Sequence, residues 1–319
     1  RKGVEHGGNR SGIPTVNGAL VFDERFLGKP LVFCGTVGLM PSHVRGQPSH
    51  QKKAEVGDLV IMLGGRVGKD GIHGATFSSE ELHSGSPATA VQIGDPYTQR
   101  KMYDFLMQAR DLGLYNSITD NGAGGLSSSV GEMAEDTGGC DIDLAKVPLK
   151  YDGLVPWEIL LSEAQERMTL AVPESRIDEF QELARKMEVE STVLGRFTDS
   201  GFFRAWYKDK PVADLEMEFL HHGLPQMELD AVWEGSDEKP LEIQDLRGEQ
   251  PEKMLRRMLQ RLNICSKEYL IRQYDHEVQG GSVIKPLMGK LQDGPADAAV
   301  IRPVLDRDRG LVVSNGICP

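Results

Sequence analysis

The chain has 319 residues, of which 39% are hydrophobic and 26% are charged, a composition typical of globular proteins and a length that suits about two domains. Its formal charge of −12 argues against a general nucleic-acid-binding surface, but it leaves room for a local basic pocket that binds phosphate. No uninterrupted apolar run is long enough to cross a bilayer, so we expect neither nucleic acid nor membrane as a partner.

The cysteines Cys34, Cys140, Cys265 and Cys318 are far apart and form no C-x-x-C pair. This spacing argues against a structural zinc site. Free thiols in a reducing compartment are the ordinary interpretation, and we therefore expect a cytoplasmic protein.

Residues 1–50 contain many turn signals and too little apolar periodicity to form a domain alone. Within them, Leu31–Gly38 predicts a buried strand. We interpret this region as the tail of a domain. Because the sequence opens without methionine and ends shortly after the strand-like run Leu311–Val313, we expect it to be an internal segment of a longer polypeptide.

Residues 51–215 alternate apolar, strand-like runs with amphipathic helices. This alternation predicts an α/β (α+β) domain, and the mixture of hairpin and crossover connections predicts a mixed sheet. One face of the helix predicted from Asp95 to Arg110 carries Met102, Phe105, Leu106 and Ala109. The other predicted elements are strands at 59–63, 168–172, 191–197 and 201–207 and a helix at 174–187.

Residues 216–250 are charged and contain two prolines, so they read as a surface linker that includes the exposed pair His221–His222. Residues 251–319 open with a basic amphipathic helix. Two strands follow, at 282–284 and 298–302, and we interpret the region as the start of a further domain.

The loop Gly64–Thr76 contains five glycines with cationic side chains between them. Backbone amides and a cation together form a phosphate cradle. The spacing matches neither a Walker A motif nor a dinucleotide fingerprint, and a glycine-rich hairpin on the rim of the sheet is the alternative. The phosphate-loop candidates are Gly64, Gly65, Gly68, Lys69 and Gly71.

The stretch Ile118–Glu135 predicts a short strand, a glycine-rich turn and a helix opened by Ser127–Ser129. The serines are expected to cap the first amides of that helix, whose positive end suits an anion. Asp120 stands where a carboxylate could hold Mg²⁺ against a bound phosphate. An ordinary capped turn explains the same residues, and both interpretations stay open.

Gln92 is predicted at the end of a strand, where its amide could recognise a substrate amide or phosphate. The alternative is a turn residue beside Asp95, which we expect to be a helix N-cap rather than a metal ligand.

Glu163 and Gln165 are two residues apart on extended chain and would face the same way, so they could grip one polar ligand. The alternative is a solvated face on which Glu166 and Arg167 form a surface ion pair.

These motifs occur in one order and spacing, and together they resemble phosphoribosylformylglycinamidine synthase, the synthetase component of the fourth step of purine biosynthesis. The resemblance implies an aminoimidazole-ribonucleotide-synthetase C-terminal-like domain at 51–215. Partial N-terminal-like domains are implied at 1–50 and 251–319, with the linker at 216–250 before the second. The motifs that carry the resemblance lie at 8–16, 64–76, 91–96, 120–129, 132–134, 161–168, 266–267, 273–280 and 297–300.

The resemblance implies that ATP and Mg²⁺ are the cofactors, and that ATP activates the amide oxygen of formylglycinamide ribonucleotide for displacement by ammonia. A glutaminase subunit or domain would supply the ammonia, and a homodimer is possible. The implied metal ligand is Asp120, and no catalytic residue is implied within this chain, which we expect to be inactive alone. The implied substrate-binding residues are Gln92, Glu163, Ala164 and Gln165, with Ala164 where the family has serine.

Two alternatives remain. One is a related ATP-dependent enzyme, such as aminoimidazole ribonucleotide synthetase, although those chains contain one N-terminal and one C-terminal domain. The other is a non-catalytic nucleotide-binding or dimerisation module whose glycine loops are purely structural.

Overall fold

The computed structural model describes residues 2–72, 74, 85, 94–233, 235 and 250–317. Within these residues the α-helices are α1 (Lys2–Ser11), α2 (Pro96–Leu112), α3 (Gly125–Glu135), α4 (Pro156–Leu161), α5 (Ile177–Lys186), α6 (Met217–His222), α7 (Pro251–Leu259) and α8 (Glu268–Ile271). The strands are β1 (His43–Val44), β2 (Gln47–Pro48), β3 (Leu59–Gly64), β4 (Ser117–Asp120), β5 (Cys140–Asp143), β6 (Arg167–Val172), β7 (Ser191–Phe197), β8 (Phe202–Tyr207), β9 (Lys210–Glu216), β10 (Ser282–Ile284), β11 (Leu287–Met288), β12 (Gly294–Pro295), β13 (Ala299–Ile301) and β14 (Leu311–Val313).

A seven-stranded sheet with the order β4-β6-β3-β7-β5-β8-β9 forms the centre of the molecule. Its neighbouring strands are antiparallel except for the parallel pair of β5 and β8. The predicted mixed sheet and the α/β class are therefore confirmed. The central strand β3 is buried along its whole length, as its uninterrupted apolar sequence requires.

The two faces of the sheet carry separate apolar cores. On one face, Val60 and Met62 of β3 pack with the buried side of α3 and with Cys140. On the other face, the alternate β3 residues pack with α2 and α5, where Phe105 and Phe180 meet edge to face at 5.1 Å. The period of two along β3 thus divides one apolar strand between two cores. Burial raises the pKa of the Cys140 thiol to about 12.

The sequence prediction for α2 is confirmed in position and orientation. Asp95 is its N-cap, and the left-handed Gly113 ends it. The buried side chains are the four predicted from the helical spacing, Met102, Phe105, Leu106 and Ala109.

The sequence pattern does not predict two strands of the sheet, β9 and β5. β9 is an edge strand that is almost entirely exposed, so it has no apolar alternation to mark it. β5 is short and alternates only between buried and half-buried residues.

The prediction of a buried strand at Leu31–Gly38 is wrong. This segment has no regular structure and its apolar side chains are exposed, with Phe33 at 90% of its accessible surface. The linker predicted at 216–250 instead opens with α6, whose Met217 is buried and whose Leu220 lies against α3. His221 also approaches α3, since its Nε2 is 3.1 Å from the Gly131 carbonyl oxygen, so it is not an exposed linker residue.

The segments before and after the central sheet hydrogen-bond to each other. The Thr15 amide donates to the Asp275 carbonyl at 3.0 Å, and the Phe22 amide donates to Asn263 Oδ1 at 2.6 Å. Small sheets complete this region: β1-β2, β11-β12 and β10-β13-β14. Among the residues that the structure describes, no helix is both long and apolar enough to cross a membrane.

Candidate functional site

The stretch after β4 turns sharply into α3. β4 ends at Asp120, which is exposed, and Gly124 and Gly125 both have positive φ. Gly125 also lies so close to the next segment that a Cβ there would stand 2.1 Å from the Ser162 carbonyl oxygen. Only glycine fits both requirements, which explains this part of the motif.

The predicted capping role of the three serines is wrong. The N-cap is Gly124, and no side chain caps the helix from that position. Ser127 Oγ donates to the Gly124 carbonyl at 2.7 Å, and Ser128 Oγ donates to a Glu132 carboxylate oxygen at 2.9 Å. The hydroxyls bind acceptors instead of the helix amides, because they lie inside the first turn and not ahead of it.

Ser129 belongs to a buried polar cluster beneath the turn. Its Oγ donates to Asn121 Oδ1 at 2.7 Å, and Thr169 Oγ1 donates to the same oxygen at 3.1 Å. These bonds fix Asn121, the residue directly after Asp120, against β6.

Glu163 meets the start of α3. The Gly124 amide donates to Glu163 Oε1 at 3.3 Å, and only 7% of the Glu163 surface is exposed. A carboxylate at this end of a helix is stabilised by the helix dipole. The positive helix end predicted to attract a ligand anion therefore already has a protein carboxylate beside it.

Gln165 differs from Glu163 in its surroundings, since its side chain is exposed. Ala164 between them is fully buried, and both of its backbone groups are hydrogen-bonded. Its amide donates to Ser162 Oγ at 3.3 Å, and its carbonyl accepts from Arg167 Nε at 2.8 Å.

The surface ion pair weighed for Glu166 and Arg167 is wrong, because Arg167 is only 3% exposed. Its Nη2 donates to the Ser162 carbonyl at 2.5 Å, in addition to the bond from Nε to Ala164. Burial lowers the pKa of the Arg167 guanidinium to about 10, so it stays protonated at neutral pH. The interpretation from sequence places Arg167 on the surface and misses this buried role, for which its only signal is the position of an arginine at the head of an apolar strand.

Glu166 has a left-handed backbone with φ of 54°. Its half-buried carboxylate accepts a hydrogen bond from the Asp95 amide and lies against Gly94, where a Cβ would be 2.3 Å from Oε1. Burial raises the pKa of the Glu166 carboxyl above its ordinary value. Glu166 thus reaches the residues that follow Gln92, which itself lies outside the described residues.

The glycine loop after β3 is held by the protein itself. The Gly64 amide donates to the Glu190 carbonyl, the Gly65 amide donates to the Glu166 carbonyl, and each distance is 2.9 Å. The Lys69 amide donates to the Tyr151 hydroxyl at 2.8 Å, and its ammonium pairs with Glu158 at 3.0 Å. These bonds favour the rim-hairpin interpretation for Gly64 and Gly65.

A phosphate role for the loop stays a prediction, now best directed at Gly68 and Gly71. Ser162 Oγ donates to the Gly68 carbonyl at 2.7 Å and so joins this loop to the segment that contains Glu163. A Cβ on Gly68 would approach Asp70 Oδ1 to 2.6 Å, so the loop is tight there.

The segment Ser162–Arg167 therefore brings three predicted site regions together: the glycine loop through Ser162, the start of α3 through Glu163, and Gly94 through Glu166. Asp120 lies beside its end, because Asp120 pairs with Met168 across β4 and β6. Within the described parts of the chain no cluster of three or more His, Cys, Asp or Glu residues forms a metal centre. The segment therefore gathers polar side chains and backbone groups at one place, without a preformed metal cage among the described residues.

Residues 55–208 match the family described as AIR synthase related protein, C-terminal domain. The central sheet with its helices is therefore a domain of the aminoimidazole-ribonucleotide-synthetase type.

The chain is 41% identical over 293 residues to phosphoribosylformylglycinamidine synthase subunit PurL of Methanopyrus kandleri, a match that covers 89% of this chain and 39% of the relative. PurL of Picrophilus torridus is 35% identical, with 99% and 42% covered. A solved structure titled Thermotoga maritima PurL complexed with FGAR has a TM-score of 0.70 and 25% identity, covering 97% of this chain and 47% of that one. The chain belongs to the phosphoribosylformylglycinamidine synthase family, and it spans about two fifths of the length of these curated relatives.

Proposed function

We propose that this chain is part of a phosphoribosylformylglycinamidine synthase, a cytoplasmic ATP- and Mg²⁺-dependent ligase of purine biosynthesis. Its reaction converts formylglycinamide ribonucleotide and ammonia to the amidine. The observation that carries the proposal is the segment Ser162–Arg167, which joins the glycine loop, the start of α3 and Gly94 in a chain 41% identical to a PurL subunit.

The relatives support the ligands proposed for this chain. Structures of Thermotoga maritima PurL have been solved in complex with FGAR, with ATP and with ADP. We propose formylglycinamide ribonucleotide as the substrate of the site around Glu163 and Gln165, with Gln92 as a further contact. Gln165 is exposed, its Nε2 lies 3.5 Å from the Glu163 carbonyl oxygen, and its side-chain amide contains both donor and acceptor atoms of the kind that pair with a substrate amide.

Asp120 fits a role in holding Mg²⁺. Its carboxylate is exposed at the end of β4, and Mg²⁺ in phosphoryl-transfer sites takes one or two carboxylates together with water and phosphate oxygens. The bound ion would neutralise charge on the phosphates during transfer. Asn121, fixed by Ser129 and Thr169, keeps the turn after Asp120 in place.

The residues of this chain would act by binding and orientation. Phosphoryl transfer needs aligned groups and compensated charge more than covalent help from the protein. Glu163 is held at the Gly124 amide and is therefore restricted in orientation, which suits a residue that recognises one part of a substrate.

A glutaminase subunit or domain is proposed as the ammonia source. A structure of PurLQS from Thermotoga maritima matches 98% of this chain with a TM-score of 0.68. The fold of this chain therefore occurs in a PurLQS assembly, which supports the proposal. That the isolated chain does not turn over, and that it forms a homodimer, stay predictions.

Calorimetric titration of the chain with formylglycinamide ribonucleotide, with and without Mg²⁺, tests the proposal. We expect saturable binding that Mg²⁺ strengthens, and we expect Asp120→Asn to remove the Mg²⁺ effect. Asp152→Asn, at another exposed aspartate, is the matched control and should bind as the unmodified chain does.

Two outcomes would count against the proposal. Mg²⁺-dependent binding that survives Asp120→Asn would contradict the metal role. Binding of ATP-like nucleotides without any affinity for formylglycinamide ribonucleotide would favour the nucleotide-binding module instead.

A further inference from the structure

Arg167 occupies an unusual position for a charged residue. It begins β6 at the centre of the site, it is 3% exposed, and its guanidinium donates to the Ser162 and Ala164 carbonyls. No carboxylate forms an ion pair with it among the residues described. A buried cation whose partners are neutral carbonyls contributes little net stability, because desolvation offsets the hydrogen bonds.

The two carbonyls that Arg167 binds belong to the residues on either side of Glu163. The Ser162 carbonyl belongs to the peptide unit just before Glu163, and the Ala164 carbonyl belongs to the unit that joins Ala164 to Gln165. Fixing both therefore restricts the stretch of backbone from which the Glu163 and Gln165 side chains project. The Glu163 side chain accepts the Gly124 amide, at the point where the glycine turn becomes α3.

The backbone of Arg167 also contacts the turn that follows β4. Its own carbonyl accepts the Asn121 amide at 3.2 Å, directly after Asp120. One residue is thus bonded to the segment that carries Glu163 and to the turn that carries Asp120.

We propose that Arg167 is a positioning residue that holds Glu163, and with it Gln165, in the orientation required to bind substrate. Arg167 does not reach the ligand itself, since its guanidinium is buried beneath the segment. The inference rests on the proposed function for the identity of the substrate, but the positioning of Glu163 is a property of the chain that can be measured without substrate.

Hydrogen exchange followed by NMR provides that measurement. In Arg167→Met we expect the Gly124 and Ala164 amides to exchange about tenfold faster than in the unmodified chain, because the bonds that hold the segment are lost. Exchange at Ile61, in the central strand, should be unchanged if the effect is local. Arg167→Lys keeps a donor and should restore part of the protection.

The matched control is Arg196→Met, at an exposed arginine of β7. It should leave both reporter amides as they are. A folded Arg167→Met variant in which the Gly124 and Ala164 amides exchange as in the unmodified chain would overturn the proposal. If Arg167→Met does not fold, the same comparison is made with Arg167→Lys, and unchanged exchange there is equally decisive against it.

Titration with formylglycinamide ribonucleotide forms the second arm. We expect the dissociation constant to rise about tenfold in Arg167→Met, to recover partly in Arg167→Lys and to stay constant in Arg196→Met. Faster exchange with unchanged affinity would overturn the link to substrate. An unmodified chain without affinity for this substrate contradicts the proposed function, whereas the exchange measurement still judges the positioning of Glu163.

Discussion

The central sheet buries its apolar residues, whereas the segments that flank it leave large apolar side chains exposed. In the sheet, β3 contributes six consecutive buried residues, and a core covers each of its faces. In the flanking segments, large apolar side chains such as Phe33 and Leu224 are about 90% exposed. Hydrophobic burial therefore stabilises the first region, whereas the segments of the second are joined by backbone hydrogen bonds such as that of Thr15 with Asp275.

This difference matters for the site, because the residues that form it depend on the central domain. Ser162, Glu163 and Arg167 belong to the central domain, and their bonding partners do as well. The geometry of the site should consequently survive perturbation of the flanks and respond to perturbation of the sheet. Three pairs of substitutions follow from this contrast: the first compares the sheet with a flank directly, and the other two examine what holds the central domain at the rim of the sheet and at the start of α2.

The largest effect is expected for Phe105→Ala. Phe105 is fully buried between α2 and the sheet and packs edge to face on Phe180, so its truncation should reduce the free energy of unfolding by about 3–5 kcal/mol. Phe33→Ala removes the same side chain from an exposed position and should change it by less than about 0.5 kcal/mol. Urea denaturation of both variants measures the difference, and equal losses would contradict the contrast between the two regions.

A smaller effect is expected for Gly64→Ala at the rim of the sheet. Gly64 has φ of 100°, and a Cβ there would lie 2.2 Å from the Glu166 carbonyl oxygen. Gly57 has a similar φ of 96° with open space around it, so Gly57→Ala isolates the backbone strain of roughly 1–3 kcal/mol. We expect Gly64→Ala to be the less stable of the two in thermal unfolding. Equal stability would show that the close approach to Glu166 is easily relieved.

The smallest effect is expected for Asp95→Ala, which removes the N-cap of α2. The Asp95 carboxylate accepts from the Thr98 hydroxyl and from two backbone amides, and these bonds lower its pKa. Because the folded pKa is depressed, the stabilisation is present above the unfolded value of about 3.9 and is lost as the pH falls through the folded value. The cost should be about 1 kcal/mol at pH 7 and should shrink in strong acid.

The matched control for the cap is Asp104→Ala, further along the same helix, where the carboxylate forms a surface ion pair with Arg100. Denaturation of both variants at pH 7 and in acid separates a cap from a surface charge. A penalty for Asp95→Ala that is independent of pH would contradict the capping account.

The same contrast explains what the sequence predicts well. α2 was predicted with its cap and its four buried residues, because amphipathic spacing and an Asp-Pro start are local signals. The strand predicted at Leu31–Gly38 failed because apolar composition alone does not provide a partner surface. β9 was missed for the opposite reason, since an exposed edge strand is defined by its pairing with β8 and not by its own residues.

The site is predictable only in part. The motifs identified the regions that the fold brings together, and Gly124 and Gly125 have the positive φ expected of such a turn. The sequence predicts the serines as caps, but the N-cap is Gly124. The helix begins at Gly125, a few residues before the serines, so they lie inside it. The role of Arg167 was hidden, since sequence spacing does not reveal whether a charged side chain is buried.

Cys140 gives the molecule a chemical reporter of its own. Its thiol is buried in the core against α3, and this burial raises its pKa to about 12, which keeps it protonated at neutral pH. Restricted access and the low thiolate fraction, which share this one cause, both suppress its reaction with alkylating reagents. Cys34 lies exposed on the flank. A thiol probe should therefore label the flank at once and reach Cys140 only when the sheet opens, so that the rate of the slow labelling reports the opening of the central domain in the native protein.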